Sequence, residues 1–252
     1  MPASSLAATT SLSPVRYGAA TARSASTLRA ALALRARVFR AGRPDADAFD
    51  PQARHLVVRE EGSGTVVATC RVLILPDGPA ANRGYSAQFY DLRGLADVGA
   101  PILELGRFCL APAVRHVPDI PRLLLGEVAA LVDAMGARLL MGCSSFPGAE
   151  PDRHAPALAW LAAHHLARPA IAPGPAASET TPLQQPVAAV APSPRGIPPL
   201  LRSYLALGGR VSDHAVIDRD LDTLHVLTLV DTATIPPARK ARLRALAALA
   251  AH

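Results

Sequence analysis

Apolar residues recur along the N-terminal part of the chain with the period of a helix. The pattern predicts a helix that begins near Ser24 or Thr27, both of which are suitable N-terminal capping residues. One face of this helix carries the apolar residues Leu28, Ala31, Leu32, Val38 and Phe39. Arg35 lies within that face, so we expect it to point into the protein, whereas Arg37 and Arg40 lie on the other side and are expected to be solvated.

Short apolar runs bounded by proline, glycine and polar residues predict strands further along the chain. The clearest run is Ile102–Leu110, which lies between Pro101 and Pro112. The other predicted strands are His55–Arg59, Thr65–Leu75, Ala137–Cys143 and His225–Val230, of which the first two form a hairpin through residues 61–64. A turn is predicted at Ser144–Gly148, and helices are predicted at Pro121–Met135, Ala155–Leu166 and Leu200–Leu207.

The order of these elements predicts an α/β or α+β fold. Strands alternate with helices after an N-terminal helix and an antiparallel hairpin, which favours a mixed sheet. Composition divides the chain into five segments. Residues 1–23 are a leader that is expected to be disordered, and residues 24–167 form the core. A Pro/Ala-rich connection over 168–196 leads to the C-terminal part of the same domain over 197–235, and a basic helical tail follows over 236–252.

Composition narrows the possible partners without choosing one. Half of the 252 residues are hydrophobic and 18% are charged, so the chain can bury a sizeable core. The net charge of +6 suits an acidic protein, an anionic membrane surface or nucleic acid. Aromatic residues make up only 4% and no nucleic-acid-binding motif is present, so we predict no nucleic-acid partner. We find neither a signal peptide nor an apolar run of 18 residues, and therefore expect a cytoplasmic protein without a transmembrane helix.

The residue types predict no metal site and no disulfide framework. Three widely spaced cysteines form no CxxC pair or Cys/His cluster, which also fits a reduced compartment. Asp45, Asp47 and Asp50 stand close together in a loop, but the glycine and distal glutamate of an EF-hand are missing. The neighbouring His164 and His165 point about 100° apart on a helix and cannot hold one metal ion from one face.

Two charged residues stand inside the apolar run at 102–110. Glu104 and Arg107 would point to opposite faces of a regular strand, because side chains alternate. A β-bulge at Gly106 would bring them together, and bulges favour glycine. Two interpretations stay open: two structural ion pairs with other elements, or a carboxylate base with an arginine that orients an anionic group.

The segment Gly142-Cys-Ser-Ser-Phe146 invites comparison with a nucleophile motif. It lacks the second glycine of G-x-S-x-G, and no histidine–acid pair is evident beside it. A tight turn after a buried strand is the favoured interpretation.

The order of several short motifs resembles one branch of the GNAT-type acyltransferases. These motifs are Leu34-Arg35-Ala-Arg-Val-Phe39, the acidic triple, Val67-Ala-Thr-Cys-Arg71 and Glu104-Leu-Gly-Arg107-Phe108. They are similar to those of enzymes that use acyl carrier protein thioesters, namely acyl-homoserine lactone synthases and L-ornithine N(α)-acyltransferases. Gly142–Gly148, Pro199–Gly208 and Val216-Ile-Asp218 resemble segments of the ornithine enzymes and favour that group.

The resemblance implies a fold, a reaction and partners. It implies one GNAT-like domain with a mixed, mostly antiparallel central sheet flanked by helices. It implies transfer of a 3-hydroxyacyl chain from acyl carrier protein to the α-amine of ornithine, which gives lyso-ornithine lipid. No cofactor is bound in such an enzyme, since the donor itself carries phosphopantetheine. The alternatives are an acyl-homoserine lactone synthase that uses S-adenosylmethionine, and a non-catalytic carrier- or membrane-binding protein.

The resemblance also implies roles for individual residues. Glu104 would be the catalytic base, with Arg107 as its partner in the site. The expected substrate-binding residues, which would hold the amines and the carboxylate of ornithine, are Arg35, Phe39, Asp45, Asp47, Asp50, Arg71, Ser144 and Ser145. Arg115 and Arg122, at the start of a helix, would dock the acidic carrier protein. The four basic residues of the tail would either contact an anionic membrane at the inner face or remain solvated.

Overall fold

A large mixed sheet with helices on both faces forms the centre of the protein. The computed structural model describes residues 16–184 and 191–250. The strands are β1 (Tyr17–Thr21), β2 (Arg54–Glu60), β3 (Val66–Leu75), β4 (Tyr90–Asp91), β5 (Ile102–Leu110), β6 (Leu139–Pro147), β7 (Gly174–Pro175), β8 (Thr180–Pro182), β9 (Arg210–Val211), β10 (His214–Asp218) and β11 (Thr223–Asp231). The helices are α1 (Ala25–Phe39), α2 (Gly78–Ala81), α3 (Asp119–Met135), α4 (Ala155–His164), α5 (Pro199–Ala206) and α6 (Pro237–Ala250).

One pair of strands in the main sheet is parallel. The strand order is β1-β2-β3-β5-β6-β11-β10-β8, with β9 beside β11. β5 and β6 run parallel, and their pairing comprises only Ile102–Glu104 against Leu139–Met141. Both strands continue for several residues beyond that point, β5 paired with β3 and β6 paired with β11. The centre of the sheet therefore opens between β5 and β6.

The helices cover the two faces of the sheet unequally. On one face, α1 buries Ala31 and Leu34 against the strand residues Val57 and Cys109, and the segment between β3 and β5 covers the remainder. On the opposite face, α3 buries four apolar residues that repeat at helical spacing, Ile120, Leu124, Val128 and Leu131. The α4 and α5 helices pack on the same side, beside β11.

The predicted fold class is confirmed, since the domain has a mostly antiparallel mixed sheet flanked by helices. Ser24 caps α1 through the Thr27 N–H, as its residue type indicated. Gly136 ends α3 in the left-handed conformation (φ 58°), where the missing Cβ removes the steric penalty.

Three predicted boundaries are wrong. Strand β1 (Tyr17–Thr21) lies inside the predicted disordered leader and pairs with β2; residues 1–15 are outside the described part of the chain. The predicted turn at Ser144–Gly148 is instead the continuation of β6 as far as Pro147, because β11 pairs with it along its whole length. The predicted irregular connection over 168–196 contains β8, which extends the sheet beyond β10; residues 185–190 of that segment are outside the described part.

The predicted helix in the tail is confirmed as α6, which packs against α3. Among the helices of residues 16–184 and 191–250, none has the length and apolar content needed to span a bilayer.

Candidate active site

A β-bulge in β5 brings the two charged residues of this strand together. Gly106 pairs with Arg71 and Cys109 pairs with Thr69, so Arg107 and Phe108 stand opposite one residue of β3. Arg107 adopts a positive φ of 54°, which few residues other than glycine do. The bulge that would bring the two side chains together is thus present, and it places Arg107 on the same face as Glu104.

Tyr85 shows that Glu104 and Arg107 share a face. The Tyr85 N–H donates to Glu104 Oε2 at 2.8 Å, and the Tyr85 hydroxyl accepts a hydrogen bond from Arg107 Nη1 at 3.1 Å. The interpretation as two structural ion pairs with other elements holds for Arg107, which pairs with Asp45 at 2.9 Å, whereas Glu104 is bound by backbone amides.

Glu104 is deeply buried and is held by backbone amides. It is 3% exposed, and its second oxygen accepts the Ser86 N–H at 2.5 Å. A Cβ at Gly84 would lie 2.4 Å from Glu104 Oε2, so a side chain at this position would displace the carboxylate. Burial raises the pKa of Glu104, and the hydrogen bonds from Ser86 and Tyr85 reduce that rise. The carboxyl is thus a stronger base than an exposed one when ionised.

Arg35 lies at the centre of a buried ion-pair network. Its Nε donates to Asp45 Oδ2 at 2.8 Å and its Nη1 donates to Asp50 Oδ1 at 2.6 Å. Its Nη2 donates to the Asp45 carbonyl and to Asp50 Oδ2. Arg35 is fully buried, with no exposed side-chain surface. The predicted inward orientation is confirmed, but direct binding of a substrate carboxylate by Arg35 is wrong because protein groups already occupy the guanidinium.

The acidic triple binds arginines. Asp47 and Asp50 both accept hydrogen bonds from Arg71 Nη1, and Asp45 accepts one from Arg107 Nε at 2.9 Å. Burial raises the pKa of Asp50, but hydrogen bonds from Arg35 and from the Asp47 N–H outweigh it and bring the pKa down to about 2. Asp45 and Asp50 are therefore matched within the protein, and the expectation that either holds a substrate amine is wrong. Asp47 Oδ2 has no hydrogen-bond partner among the described residues, so for Asp47 the expectation stays a prediction.

Aromatic rings extend the network towards the opening in the sheet. The Arg71 guanidinium lies 5.1 Å from the Tyr85 ring centroid and 5.7 Å from that of Phe49. The Arg107 guanidinium lies 5.2 Å from the Tyr85 ring and 5.9 Å from the Phe39 ring. The network therefore fixes the position of Tyr85.

A cavity of about 520 Å³ occupies the opening between β5 and β6. Phe39, Tyr85 and Arg107 line it from the face covered by α1, and Leu125 and Tyr204 line it from the face covered by α3 and α5. A Cβ at Gly142, between the two groups, would lie 2.3 Å from the Leu105 carbonyl oxygen. A side chain there would push β5 and β6 apart, so the shape of the opening depends on Gly142.

The two predicted serines both line this cavity. Ser145 is exposed, whereas the Ser144 hydroxyl is buried and lies 2.8 Å from the Thr228 hydroxyl. Burial raises the pKa of the neighbouring Cys143 thiol to about 12. Cys143 is therefore a neutral thiol and not an activated nucleophile.

The two predicted carrier-binding residues differ in position. Arg115 lines the cavity near Pro121, at the start of α3. Arg122 is exposed one turn into the helix and donates to Asp119 at 2.9 Å. Arg115 is thus placed at the cavity mouth and Arg122 on the neighbouring surface.

Sequence reasoning missed a histidine in this cavity. His225 lines it and is 3% exposed. The Tyr90 hydroxyl donates to the His225 carbonyl at 2.8 Å and also lies 3.0 Å from His225 Nδ1. Burial lowers the pKa of His225 to about 4, so the ring is neutral at pH 7.

Sequence reasoning also missed the cavity roles of Asp218 and Tyr85. More than 100 residues separate Asp218 from the strand that carries Glu104, so no local pattern connects the two. The resemblance of Val216-Ile-Asp218 to the ornithine enzymes was the signal that could have identified Asp218.

Comparisons with known proteins agree with this architecture. Residues 31–124 match a family model described as an acetyltransferase (GNAT) domain. The chain is 34% identical to an L-ornithine N(alpha)-acyltransferase from Rhodobacter capsulatus over 240 residues, which cover 87% of this chain and 91% of that protein. It is 33% identical to the enzyme of the same name from Rhizobium meliloti over 234 residues, which cover 83% and 78% of the two chains.

Solved structures resemble the fold at lower identity. The GphF GNAT-like decarboxylase, solved in complex with isobutyryl-CoA, has a TM-score of 0.50 at 23% identity, with 85% of this chain and 98% of that chain covered. The loading GNATL domain of CurA from Lyngbya majuscula has a TM-score of 0.50 at 13% identity, with 86% and 98% covered. At these identities the likeness concerns the fold alone.

Proposed function

Since the chain belongs to the L-ornithine N(alpha)-acyltransferase family, we propose that it transfers a 3-hydroxyacyl chain from acyl carrier protein to the α-amine of L-ornithine, which gives lyso-ornithine lipid. The observation that carries this proposal is the single cavity that passes through the opening between β5 and β6. Such a passage lets a donor and an acceptor enter from opposite faces and meet at the strands. Glu104 belongs to the last paired position of β5 and β6 and adjoins the cavity through Leu105, the next residue, and Tyr85, whose N–H it accepts.

Glu104 is the proposed proton acceptor in this reaction. An amine attacks a thioester only when it is neutral, so a base must take its proton. The carboxylate accepts two backbone N–H bonds and retains further lone pairs. The new N–C bond forms as the C–S bond breaks, and the leaving thiolate of the phosphopantetheine takes up the proton. No covalent enzyme intermediate is required.

The backbone of β5 is the proposed site for the developing oxyanion. β5 pairs with β6 only as far as Glu104, and the bulge follows at once. Beyond Glu104 this edge of β5 is not paired with β6, and Leu105 and Gly106 line the cavity. Backbone N–H groups at this edge would be available to stabilise a tetrahedral oxyanion. Arg107 holds the bulge in place through Asp45 and Tyr85.

The donor would enter from the face covered by α3. Arg115 at the cavity mouth and exposed Arg122 provide positive charge for an acidic carrier protein. A carrier-protein donor fits a cytoplasmic enzyme, and exposed Arg239 and Arg242 on α6 offer a contact for an anionic membrane surface. The other two basic residues of the tail face the protein, since Arg244 pairs with Asp133 at 2.7 Å and Lys240 lines a second cavity.

That second cavity is the proposed chamber for the acyl chain. It measures about 350 Å³ and lies between α3, α5 and α6. Leu125 and Tyr204 line both cavities, so the two adjoin. Its further lining is mainly aliphatic, including Val128, Val132 and Leu243. An acyl chain whose thioester lies between β5 and β6 would extend into this apolar space.

Narrowing the second cavity is expected to shorten the preferred acyl chain. Ala129 lines this cavity, so Ala129→Phe would fill part of it. We expect kcat/KM for the longest accepted donor to fall about tenfold, the usual effect of a few lost methylene contacts, with short donors little affected. Competition between acyl carrier proteins of different chain length measures the change. Ala130→Phe is the matched control, since Ala130 is exposed on the same helix; equal chain preference in the two variants would contradict the assignment.

Lipids from cells that express the chain test the proposed reaction. In a bacterial host without ornithine lipids, mass spectrometry is expected to show ornithine with one amide-linked 3-hydroxyacyl chain, absent from the empty-vector strain. Acyl-homoserine lactones in the medium instead would favour the alternative that uses S-adenosylmethionine. Neither product would favour a carrier- or membrane-binding protein without activity.

A further inference from the structure

Asp218 is an acidic residue in the cavity whose function the reaction chemistry does not explain. It is the last residue of β10 and lines the same cavity as Arg107, Cys143 and His225. Val216, two residues earlier, pairs with His225, and alternation along the strand places Asp218 on the same face of the sheet as that histidine. The carboxylate is therefore on the acceptor side of the opening.

The surroundings of Asp218 differ from those of the other aspartates near the site. Asp45, Asp47, Asp50 and Asp220 each form a salt bridge with an arginine. In the described part of the chain Asp218 forms no salt bridge with a basic side chain, and its Oδ1 accepts the Leu221 N–H at 3.0 Å. Most of its acceptor capacity remains available for a ligand.

The negative charge of Asp218 acts on the interior of the cavity. Burial raises the pKa of Tyr85 and of Cys143, and the charge of Asp218 adds to both rises. Burial lowers the pKa of His225, and Asp218 opposes that fall. Asp218 thus favours positive charge in the part of the cavity that Tyr85, Cys143 and His225 line.

We propose that Asp218 binds the side-chain ammonium of the acceptor and selects a diamino acid over a neutral amino acid. This inference rests on the proposed function and names the residue that would recognise ornithine as a cation. The Asp218 carboxylate would hold the distal ammonium while the α-amine lies nearer to Glu104. The Tyr85 ring, which lines the same cavity, adds a surface that favours a cation.

A neutral acceptor would be rejected for a physical reason. Norvaline has the backbone and side-chain length of ornithine but lacks the distal amine. When it binds, the Asp218 carboxylate loses water without gaining a partner, which costs more than a missing hydrophobic contact. Asp45 and Asp50 cannot supply this selectivity, because their carboxylates are paired with Arg35, Arg71 and Arg107.

Binding of L-ornithine and L-norvaline to the full chain, measured by calorimetry, tests the proposal without requiring turnover. The wild-type protein is expected to prefer ornithine. Asp218→Asn is expected to weaken ornithine binding by roughly 100-fold and to strengthen norvaline binding, because a neutral amide loses less than a carboxylate when it is desolvated without a partner. Asp220→Asn is the matched control, since Asp220 lies two residues away, is exposed and pairs with Arg40; its preference should equal that of the wild type. Thermal unfolding of each variant monitors the fold.

The outcomes separate this inference from the proposed function. An Asp218→Asn protein that keeps the preference for ornithine, or a wild-type protein without any preference, would overturn the assignment even if acyl transfer occurs. If the wild type acylates no ornithine but binds lysine or another cationic amine through Asp218, the ornithine reaction fails and the ammonium site stands.

Discussion

Replacing Glu104 with glutamine is expected to lower kcat by about 10²- to 10⁴-fold, the range that general-base catalysis provides. Glutamine has nearly the same shape, and its carbonyl oxygen can still accept one of the N–H bonds from Tyr85 and Ser86. It cannot accept a proton from the amine. Steady-state rates with a saturating donor and acceptor measure the effect.

The pH dependence of the same variant separates a base from a structural group. Burial raises the pKa of Glu104 above its ordinary value of 4.5, so the acid limb of the wild-type kcat/KM profile should lie above pH 4.5. Glu104→Gln should lack that limb. Glu127→Gln is the matched control, because burial also raises the pKa of Glu127; that variant should keep full activity. If a folded Glu104→Gln protein kept wild-type kcat, Glu104 would not be the base, and the neutral ring of His225 would be the remaining candidate in the cavity.

Replacing Arg35 with methionine is expected to reduce the free energy of unfolding by about 3–5 kcal/mol. The substitution keeps much of the side-chain volume but removes the donors that serve Asp45 and Asp50. Both carboxylates would stay buried with fewer partners, and an uncompensated buried charge is costly. Urea unfolding of the two proteins measures the difference.

Arg37→Met is the matched control for Arg35→Met. Arg37 lies two residues away on α1 and is exposed, so its replacement should change the free energy of unfolding by less than about 0.5 kcal/mol. An Arg35→Met protein as stable as the Arg37→Met protein would contradict the structural importance of the network.

The long, apolar elements could be predicted because their local pattern and their burial agree. The β3 and β5 strands and the α3 helix are examples. The β1 strand could not be predicted from the sequence, since its segment Tyr17-Gly-Ala-Ala-Thr21 has no alternation of apolar and polar residues. The segment becomes a strand only because it pairs with β2. Similarly, the polar second half of β6 looks like a turn, and only its pairing with β11 extends it.

Within the site, the strand that carries the chemistry could be predicted, but the partners of its charges could not. Gly106 indicated the bulge, and the apolar face of α1 indicated that Arg35 is buried. Sequence alone could not show that Arg35 and the acidic triple neutralise one another, because their pairing depends on how the loop folds back over β3. The same limit applies to Asp218 and His225, which reach the cavity through β10 and β11.

The most direct test of the account is the product formed by purified protein from 3-hydroxyacyl carrier protein and L-ornithine labelled with ¹⁵N at the α-amine. We predict one product in tandem mass spectrometry, in which the amide nitrogen carries the label and the side-chain amine is free. A product acylated on the side-chain amine would contradict transfer to the α-amine, and intact donor with unmodified ornithine after incubation with folded protein would contradict acyl transfer itself.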